Sequence, residues 1–446
     1  MVVVGAGLVG TLAAIYLARR GYRVEVFDRR DDPRGRDEAR GRSINLTLCR
    51  RGFAALEEVG VGDPVRKLAV AVTGRRIHDP TGTVADQPYG NRGEAIHSIS
   101  RNDLNRLLID LGEERFGIAF SFGREFAGLD LAAATVRLRE RASERVEVRE
   151  FSRLVAADGA FSGVRRQLVG EGLAEHSEVF LDQAYRELRL PPAADGAWAL
   201  APGALHVWPR GHYMLIGFPN PDFTFTCALH LPYEGEPSIA SVAEESDLID
   251  LFARFFPDAL PLLPDLARDY FAARPEAMVT VRSWPWAIAG RVVLLGDAAH
   301  AVYPSYGQGA NCGFEGCRAL DASLARHRDD WLRALAEYQA ERKRHADAIA
   351  DLSEEHFHEL RDRVGDPRFL LRKRIERRVA ELLGDDYQPL YSLISFTLLP
   401  YCDAVARERR QRPLIDRLLA VEGIGDRLDS DEFDRLLDLY GKEQRC

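Results

Sequence analysis

The chain has 446 residues, a net charge of −9, 46% hydrophobic residues and 29% charged residues. This composition is typical of soluble globular proteins and argues against disordered, collagen-like and membrane-spanning classes. The six cysteines include no C-x-x-C pair, which predicts neither a disulfide scaffold nor a zinc site and favours a reduced, cytoplasmic protein. The basic residues are scattered as doublets, so we expect no nucleic acid among the partners.

The N-terminal residues predict a strand, a helix and a second strand, the start of a β-α-β unit. Apolar residues at positions 8, 12, 15 and 16 predict a helix from Leu8 to Arg20, with Gly21 as its C-cap. The first strand, Met1 to Val4, precedes this helix, and Arg23 to Phe27 follows it. We expect no secretory signal, because the chain enters the first strand at once.

Three glycines, Gly5, Gly7 and Gly10, form a G-x-G-x-x-G motif between the first strand and the helix. Here the backbone can approach a pyrophosphate, and the helix N-terminus favours its negative charge. Asp28 ends the second strand, 21 positions after Gly7, where a carboxylate accepts hydrogen bonds from ribose hydroxyls. The motif predicts a dinucleotide site. It leaves NAD and FAD both open, and the alternative is a glycine turn that only permits tight helix packing.

Two later motifs complete a larger pattern. Asp158 and Gly159 follow a short apolar strand, and the string from Gly296 to Asn311 follows another. The three motifs together resemble the FAD-dependent aromatic hydroxylases. The resemblance implies noncovalent FAD, with Asp297 near its ribityl or ribose region and the loop from Pro304 to Asn311 presenting backbone amides to the isoalloxazine edge. The predicted cofactor-binding residues are Gly5, Gly7, Gly10, Asp28, Arg30, Arg42, Arg101, Asp158, Asp297, Gly307, Gln308, Gly309, Ala310 and Asn311.

Five further segments resemble the kynurenine 3-monooxygenase family, and the resemblance runs from near residue 1 to about residue 405. It implies that NADPH reduces FAD, that the reduced flavin traps O₂ as a C4a-hydroperoxide, and that oxygen is delivered to the ring carbon ortho to the substrate amine. The flavin then performs the oxidation, and no side chain is predicted to be catalytic. The segments are 41–46, 98–105, 205–210, 225–227 and 389–392.

A carboxylate site is predicted at a turn of the chain. Arg75 and Tyr89 match the carboxylate-binding residues of this family and lie symmetrically about Gly82, so as hairpin partners they would face each other. An arginine beside a tyrosine hydroxyl suits a carboxylate. The alternative is a surface arginine packed on a tyrosine. Tyr391 matches a third carboxylate contact, with a core tyrosine as the alternative.

The remaining substrate residues surround the amine and the ring. Glu359 matches a family glutamate, and His356 lies on the same helical face, where the family often has asparagine near the amine. No third ligand accompanies this pair, so we predict no metal site. Pro304, Ser305 and Tyr306 match positions beside the substrate ring. At the last two positions the family usually has an aromatic residue followed by Phe or His. Ser305 removes one such ring and Tyr306 adds a hydroxyl, so these residues, with His356 in place of Asn, predict a reshaped pocket.

The predicted fold class is α/β, with a Rossmann-like FAD-binding domain, an inserted β-sheet substrate domain and a helical C-terminal region. The charged stretch from Gly423 to Cys446 predicts no membrane anchor. Residues 1–67, 98–175 and 283–325 are assigned to the FAD-binding domain, 68–97 and 176–282 to the substrate domain, and 326–446 to the helical region.

These predictions converge on an NADPH-dependent FAD monooxygenase that hydroxylates L-kynurenine at position 3, with O₂ and NADPH as further partners. One alternative keeps this chemistry and takes another kynurenine-like aromatic amino acid from a biosynthetic pathway. An FAD-dependent dehydrogenase or oxidase is a second alternative, and a non-catalytic flavin redox sensor is a third.

Overall fold

The computed structural model describes residues 1–35, 45–90, 93–362 and 366–445. Its strands are β1 (Val2–Val4), β2 (Glu25–Phe27), β3 (Asn45–Leu48), β4 (Ala69–Val72), β5 (Gly74–His78), β6 (Val84–Pro88), β7 (Ile96–Ser100), β8 (Ala119–Ser121), β9 (Arg124–Asp130), β10 (Thr135–Glu140), β11 (Val146–Glu150), β12 (Leu154–Ala156), β13 (Glu175–Leu190), β14 (Ala204–Arg210), β15 (Tyr213–Pro219), β16 (Phe225–Pro232), β17 (Glu276–Trp284), β18 (Ala287–Ile288) and β19 (Val292–Leu294). Its helices are α1 (Leu8–Arg19), α2 (Arg50–Glu58), α3 (Gly62–Lys67), α4 (Arg101–Phe116), α5 (Gly163–Gly170), α6 (Glu245–Phe255), α7 (Leu266–Ala272), α8 (Asp297–His300), α9 (Gly309–Arg326), α10 (Trp331–Asp362), α11 (Pro367–Leu383), α12 (Leu390–Phe396), α13 (Tyr401–Leu419) and α14 (Asp431–Arg445).

A six-stranded sheet in the order β18-β19-β12-β1-β2-β8 forms the first large layer of the fold. All its neighbours pair in parallel except β18 and β19, and the central strands are fully buried apolar runs, as parallel strands covered on both faces require. The predicted β-α-β start is confirmed, and Gly21 adopts the positive φ of 89° just beyond α1. The carboxyl ends of β1, β2 and β12 meet at one edge, where ligands bind in such folds.

A seven-stranded sheet in the order β17-β13-β16-β15-β14-β5-β6 forms the second large layer. The hairpin β5–β6 joins it from a distant part of the sequence, through parallel pairing of β5 with β14. The strands β4 and β7 belong instead to a small sheet in the order β3-β7-β4, so only part of segment 68–97 enters the large one. The division of the chain into six segments stays a prediction.

The register of the β5–β6 hairpin differs from the predicted one. Arg75 lies opposite Gln87, and the connecting loop is centred on Thr81, one residue before the predicted glycine. The shift arises because the Asp79 carboxylate accepts N–H bonds within the loop, at 2.7 Å from Thr81, and thereby sets its length. The prediction that Arg75 and Tyr89 face each other directly is therefore wrong. Tyr89 is a diagonal neighbour on the same face, within reach of a long side chain.

A buried ion network joins the C-terminal helices to α2 and α9. Arg51 on α2 is fully buried, and its Nη1 donates to Glu315 on α9 at 2.7 Å. Arg342 on α10 donates to the second oxygen of the same carboxylate at 2.8 Å. Arg51 also donates to the carbonyl oxygens of Ile394 and Leu399, which lie at the end of α12 and just beyond it.

Among the described residues, no helix is both long enough and apolar enough to cross a membrane.

We expect Glu315→Gln to destabilise the protein by about 3–5 kcal/mol, because it leaves the buried Arg51 and Arg342 without a counter-charge. The urea midpoint of the purified protein, followed by circular dichroism, measures the change. Glu125→Gln is the matched control, since it removes a carboxylate paired with the exposed Arg139 and is expected to have little effect. Equal midpoints for the two variants would contradict the role given to the network.

Candidate active site

The glycine loop between β1 and α1 is shaped by close backbone contacts. A Cβ atom on Gly5 would lie 2.4 Å from the carbonyl oxygen of Ala157, and one on Gly10 would lie 1.9 Å from the oxygen of Gly5. Gly7 differs, because the nearest atom to its Cβ position is Nη2 of Arg30, at 3.7 Å. The fold therefore requires the first and third glycines, whereas the second keeps open the space in front of the helix.

The start of α1 offers free backbone donors to that space. The N–H of Thr11 makes the first helical bond, to the oxygen of Gly7 at 2.9 Å, so the three preceding N–H groups have no intrahelical acceptor. Such a helix start attracts a pyrophosphate. A cavity of about 100 Å³ continues from here, and it is lined by Ala6, Asp28, Arg30, Asp31, Pro33, Asn102, Asn105, Arg106 and Phe122.

Asp28 organises the loop as well as facing the cavity. Its carboxylate accepts the Ala6 N–H at 2.7 Å and three N–H bonds from Arg30 at 2.8–3.0 Å. Burial raises the pKa of Asp28, but the bonds from Arg30 bring it below its usual value, so the side chain is ionised. A ribose hydroxyl would have to share or replace one of these bonds, and the ribose contact stays a prediction.

Asp158 and Asp297 follow β12 and β19 and have different surroundings. Asp158 accepts the Ser162 hydroxyl at 2.6 Å and the Gly163 N–H at 2.7 Å, so it holds the start of α5. Asp297 begins α8. Burial raises its pKa, while the positive charge of Arg101 opposes the rise. The predicted cofactor residue Arg42 lies outside the described residues.

The loop before α9 is tied to the β3–α2 junction. Gly307 has a φ of 66°, and a Cβ there would lie 2.3 Å from the hydroxyl of Thr47. The Asn311 amide donates to the oxygens of Thr47 and Gly307, both at 2.8 Å, and accepts the Cys49 N–H at 3.0 Å. The side chain of Asn311 therefore braces the loop, and a cofactor can meet only its backbone.

The first turn of α9 presents backbone donors in the same way as α1. The Gln308 side chain accepts the Tyr401 hydroxyl at 3.0 Å, while its carbonyl oxygen accepts the first helical bond, from Cys312 at 2.8 Å. The N–H groups of Gly309 and Ala310 consequently have no intrahelical acceptor. With the glycine loop of α1, this second helix start fits two separate parts of FAD, its pyrophosphate and its isoalloxazine edge.

The substrate side of the site is a cavity of about 1510 Å³ between β5–β6 and the helices α10, α11, α12 and α13. Six of the eight predicted substrate residues line it, namely Arg75, Tyr89, Tyr306, His356, Glu359 and Tyr391. Pro304 and Ser305 do not line it. Pro304 is exposed, and the Ser305 hydroxyl donates to the carbonyl oxygen of Ser353.

Arg75 lies among aromatic rings. The centre of its guanidinium is 5.5 Å from the ring of Tyr89 and 5.4 Å from that of Tyr391, and these two rings stack at 4.9 Å. Tyr306 packs on Tyr391 at 5.6 Å and on His356 at 4.7 Å. The Tyr89 hydroxyl is buried beside Arg75 and Tyr391, and none of its contacts among the described residues has the distance and angles of a full hydrogen bond. A buried donor of this kind points to a ligand acceptor.

Three polar side chains form a chain across the cavity. Nη2 of Arg75 lies 3.1 Å from Nε2 of His356, and Nδ1 of His356 lies 3.1 Å from a Glu359 oxygen. Within the described residues, no carboxylate oxygen lies within 4 Å of the Arg75 guanidinium. Burial raises the pKa of Glu359, but its bond to His356 and the charge of Lys373 bring it below its usual value. The cavity thus presents a cation and an anion.

Two contributions to the cavity were missed by sequence reasoning. Lys373 and Phe369 on α11 line it, and the ammonium of Lys373 lies 5.3 Å from the Phe369 ring. The Ser392 hydroxyl donates to the carbonyl oxygen of Tyr89 at 3.4 Å and helps to hold that residue. Their signals were weak, because a lysine in a charged helix resembles a surface residue.

In the described part of the chain, no cluster of His, Cys, Asp or Glu side chains could hold a metal ion.

Comparison with known proteins gives consistent results. The family model "FAD binding domain" matches residues 1–202 and 276–353. Kynurenine 3-monooxygenase of Christiangramia forsetii is 40% identical over 430 residues, covering 96% of each chain. The enzyme of the same name from Salinispora tropica is 44% identical over 429 residues, covering 95% of this chain and 93% of its own.

Among solved structures, the tetrameric form of 2-methyl-3-hydroxypyridine-5-carboxylic acid oxygenase has a TM-score of 0.66 at 21% identity, covering 84% of this chain and 95% of its own. Pseudomonas aeruginosa PqsL in complex with 2-aminobenzoylacetate has a TM-score of 0.65 at 20% identity, covering 81% and 96%. These two likenesses concern the fold.

The protein is an FAD-dependent monooxygenase, as its fold, the helix starts of α1 and α9, and its relatives together show. The prediction of FAD rather than NAD is confirmed, and so is the predicted α/β fold class. Within that class, the chain belongs to the kynurenine 3-monooxygenase family.

We expect Gly7→Ala to fold like the parent protein and to retain much less FAD. The reason is that the new Cβ has room within the chain but projects into the space reserved for the pyrophosphate. Flavin per chain after gel filtration, and flavin released by acid, measure the change, with circular dichroism as the check on folding. Gly170→Ala is the matched control, since nothing lies within 4 Å of its Cβ position. Full FAD occupancy in Gly7→Ala would contradict the assignment of the glycine loop as the pyrophosphate site.

Proposed function

We propose that this enzyme hydroxylates L-kynurenine at ring position 3, with O₂ as oxidant and NADPH as reductant. The observation that carries the proposal is the Arg75 guanidinium, which lines the cavity with no carboxylate partner among the described residues. A cation enclosed by protein is costly unless an anion meets it. A substrate carboxylate is such an anion, and an arginine fork with a tyrosine hydroxyl beside it binds carboxylates well.

The other groups of the cavity suit the rest of an α-amino acid. Glu359 is ionised and faces the same cavity as Arg75, so it can accept bonds from an α-ammonium group. The hydroxyl of Tyr89 can donate to the carboxylate that Arg75 binds. The pair of opposite charges therefore favours a zwitterionic substrate over a simple aromatic acid.

Ring placement would depend on Tyr306. This residue precedes Gly307 and the α9 start, and its buried ring packs between His356 and Tyr391. A substrate whose head is held at Arg75 can rest its ring near Tyr306, toward the cofactor end of the cavity. The roles of the protein are then to orient the ring and to exclude water with the packed tyrosines. Bound FAD supplies the electron transfer and the oxygen activation, which no side chain here can provide.

A second candidate keeps this chemistry and changes the amino acid. Tyr306 lines the cavity and brings a hydroxyl to it. This hydroxyl favours a kynurenine that carries an additional ring substituent.

The test is NADPH oxidation by the FAD-loaded enzyme under ¹⁸O₂ with kynurenine, anthranilate, tryptophan or tyrosine. We expect kynurenine alone to accelerate NADPH oxidation and the product to gain one ¹⁸O atom. Oxidation without label would indicate a dehydrogenase or oxidase, and no acceleration by any substrate would contradict the proposal. Poorly coupled turnover of kynurenine, with tight coupling on a ring-substituted analogue, would favour the second candidate.

A further inference from the structure

The contact between Arg75, His356 and Glu359 fixes the proton on the imidazole. Arginine has only donors, so Nε2 of His356 must accept the bond from Nη2 of Arg75. The proton of a neutral imidazole then lies on Nδ1 and is donated to the Glu359 carboxylate. The two neighbours therefore select one tautomer, in which the ring accepts at one end and donates at the other.

We propose that His356 is a positioning residue that links Arg75 and Glu359 into one hydrogen-bonded relay, so that the carboxylate and ammonium of the substrate are bound in a fixed relative geometry. The relay uses one Nη of Arg75 and one oxygen of Glu359. The remaining N–H groups of the fork and the second carboxylate oxygen stay available to the substrate. This inference rests on the proposed function, because it assumes an α-amino acid in the cavity.

The surroundings of His356 keep it neutral. Its side chain is 11% exposed, and the groups that face it are Arg75 from β5, Glu359 on its own helix, Lys373 from α11 and the ring of Tyr306. Burial lowers the pKa of His356 to about 4, although the bond to Glu359 opposes this. At neutral pH the ring is therefore an acceptor toward Arg75, and a protonated ring would lose that bond and repel the guanidinium.

Two variants separate the two ends of the relay. The shorter asparagine side chain places its amide near the Nδ1 position, so His356→Asn can keep the Glu359 contact but cannot reach Arg75. In His356→Gln the carbonyl oxygen can occupy the Nε2 position and accept from Arg75. His327→Asn is the matched control, because His327 also contacts a glutamate, Glu337, but lies away from the cavity.

The kinetic test compares L-kynurenine with its decarboxylated analogue. Losing a charge-assisted bond predicts that His356→Asn raises KM for kynurenine about 10- to 100-fold and affects kcat less. The increase should shrink for the decarboxylated analogue, be partly rescued in His356→Gln, and be non-additive with Arg75→Gln. The same KM penalty on both substrates, or full additivity with Arg75→Gln, would overturn the relay.

A spectroscopic test does not depend on the substrate. In ¹⁵N-histidine-labelled, FAD-loaded enzyme without substrate, the signals lost in His356→Asn identify His356. We expect one protonated nitrogen and one unprotonated nitrogen with the Nδ1–H pattern from pH 6 to 8, and an Nε2–H or doubly protonated ring would overturn the relay. If kynurenine fails to accelerate NADPH oxidation while the Nδ1–H tautomer is found, the proposed function fails and the relay geometry stands.

Discussion

The charge of Arg75 is the constraint on which the substrate site depends. A guanidinium enclosed by protein needs partners for its charge and for its donors, and here it has an imidazole and two phenol rings. Cation–π contacts with Tyr89 and Tyr391 recover part of the lost hydration, but they do not neutralise the charge. The site is therefore complementary to an anion before any substrate is present. This complementarity explains why its neighbours are neutral acceptors and aromatic faces.

Residues from four distant parts of the chain must meet for this arrangement to form. Arg75 comes from β5, Tyr306 from the loop before α9, His356 from α10 and Tyr391 from α12. The buried Arg51 network holds together α9, α10 and the end of α12, which carry or adjoin three of these four parts. The start of α9 also carries the backbone donors that suit the flavin edge. The network therefore positions the substrate cavity relative to the cofactor site.

The cofactor cradle could be predicted from sequence because its signals are local. A Cβ atom at Gly5 or at Gly307 would clash with neighbouring atoms, so the local conformation requires glycine at both positions. The lining of the substrate cavity was harder to predict. Its residues match family positions, but the relative placement of Arg75 and Tyr89 depends on the register of the β5–β6 hairpin. Asp79 sets this register, and the assumption of symmetry about Gly82 centred the turn one residue too late. Helical spacing predicts that His356 and Glu359 share one face of α10, and their side chains are in contact there.

The most direct measurement is a crystal structure of the FAD-loaded enzyme with L-kynurenine bound. The account predicts the substrate carboxylate within about 3 Å of Arg75 and of the Tyr89 hydroxyl, with His356 still bonded to Arg75. A kynurenine carboxylate bound elsewhere, with the Arg75 guanidinium contacting no part of the substrate, would contradict it.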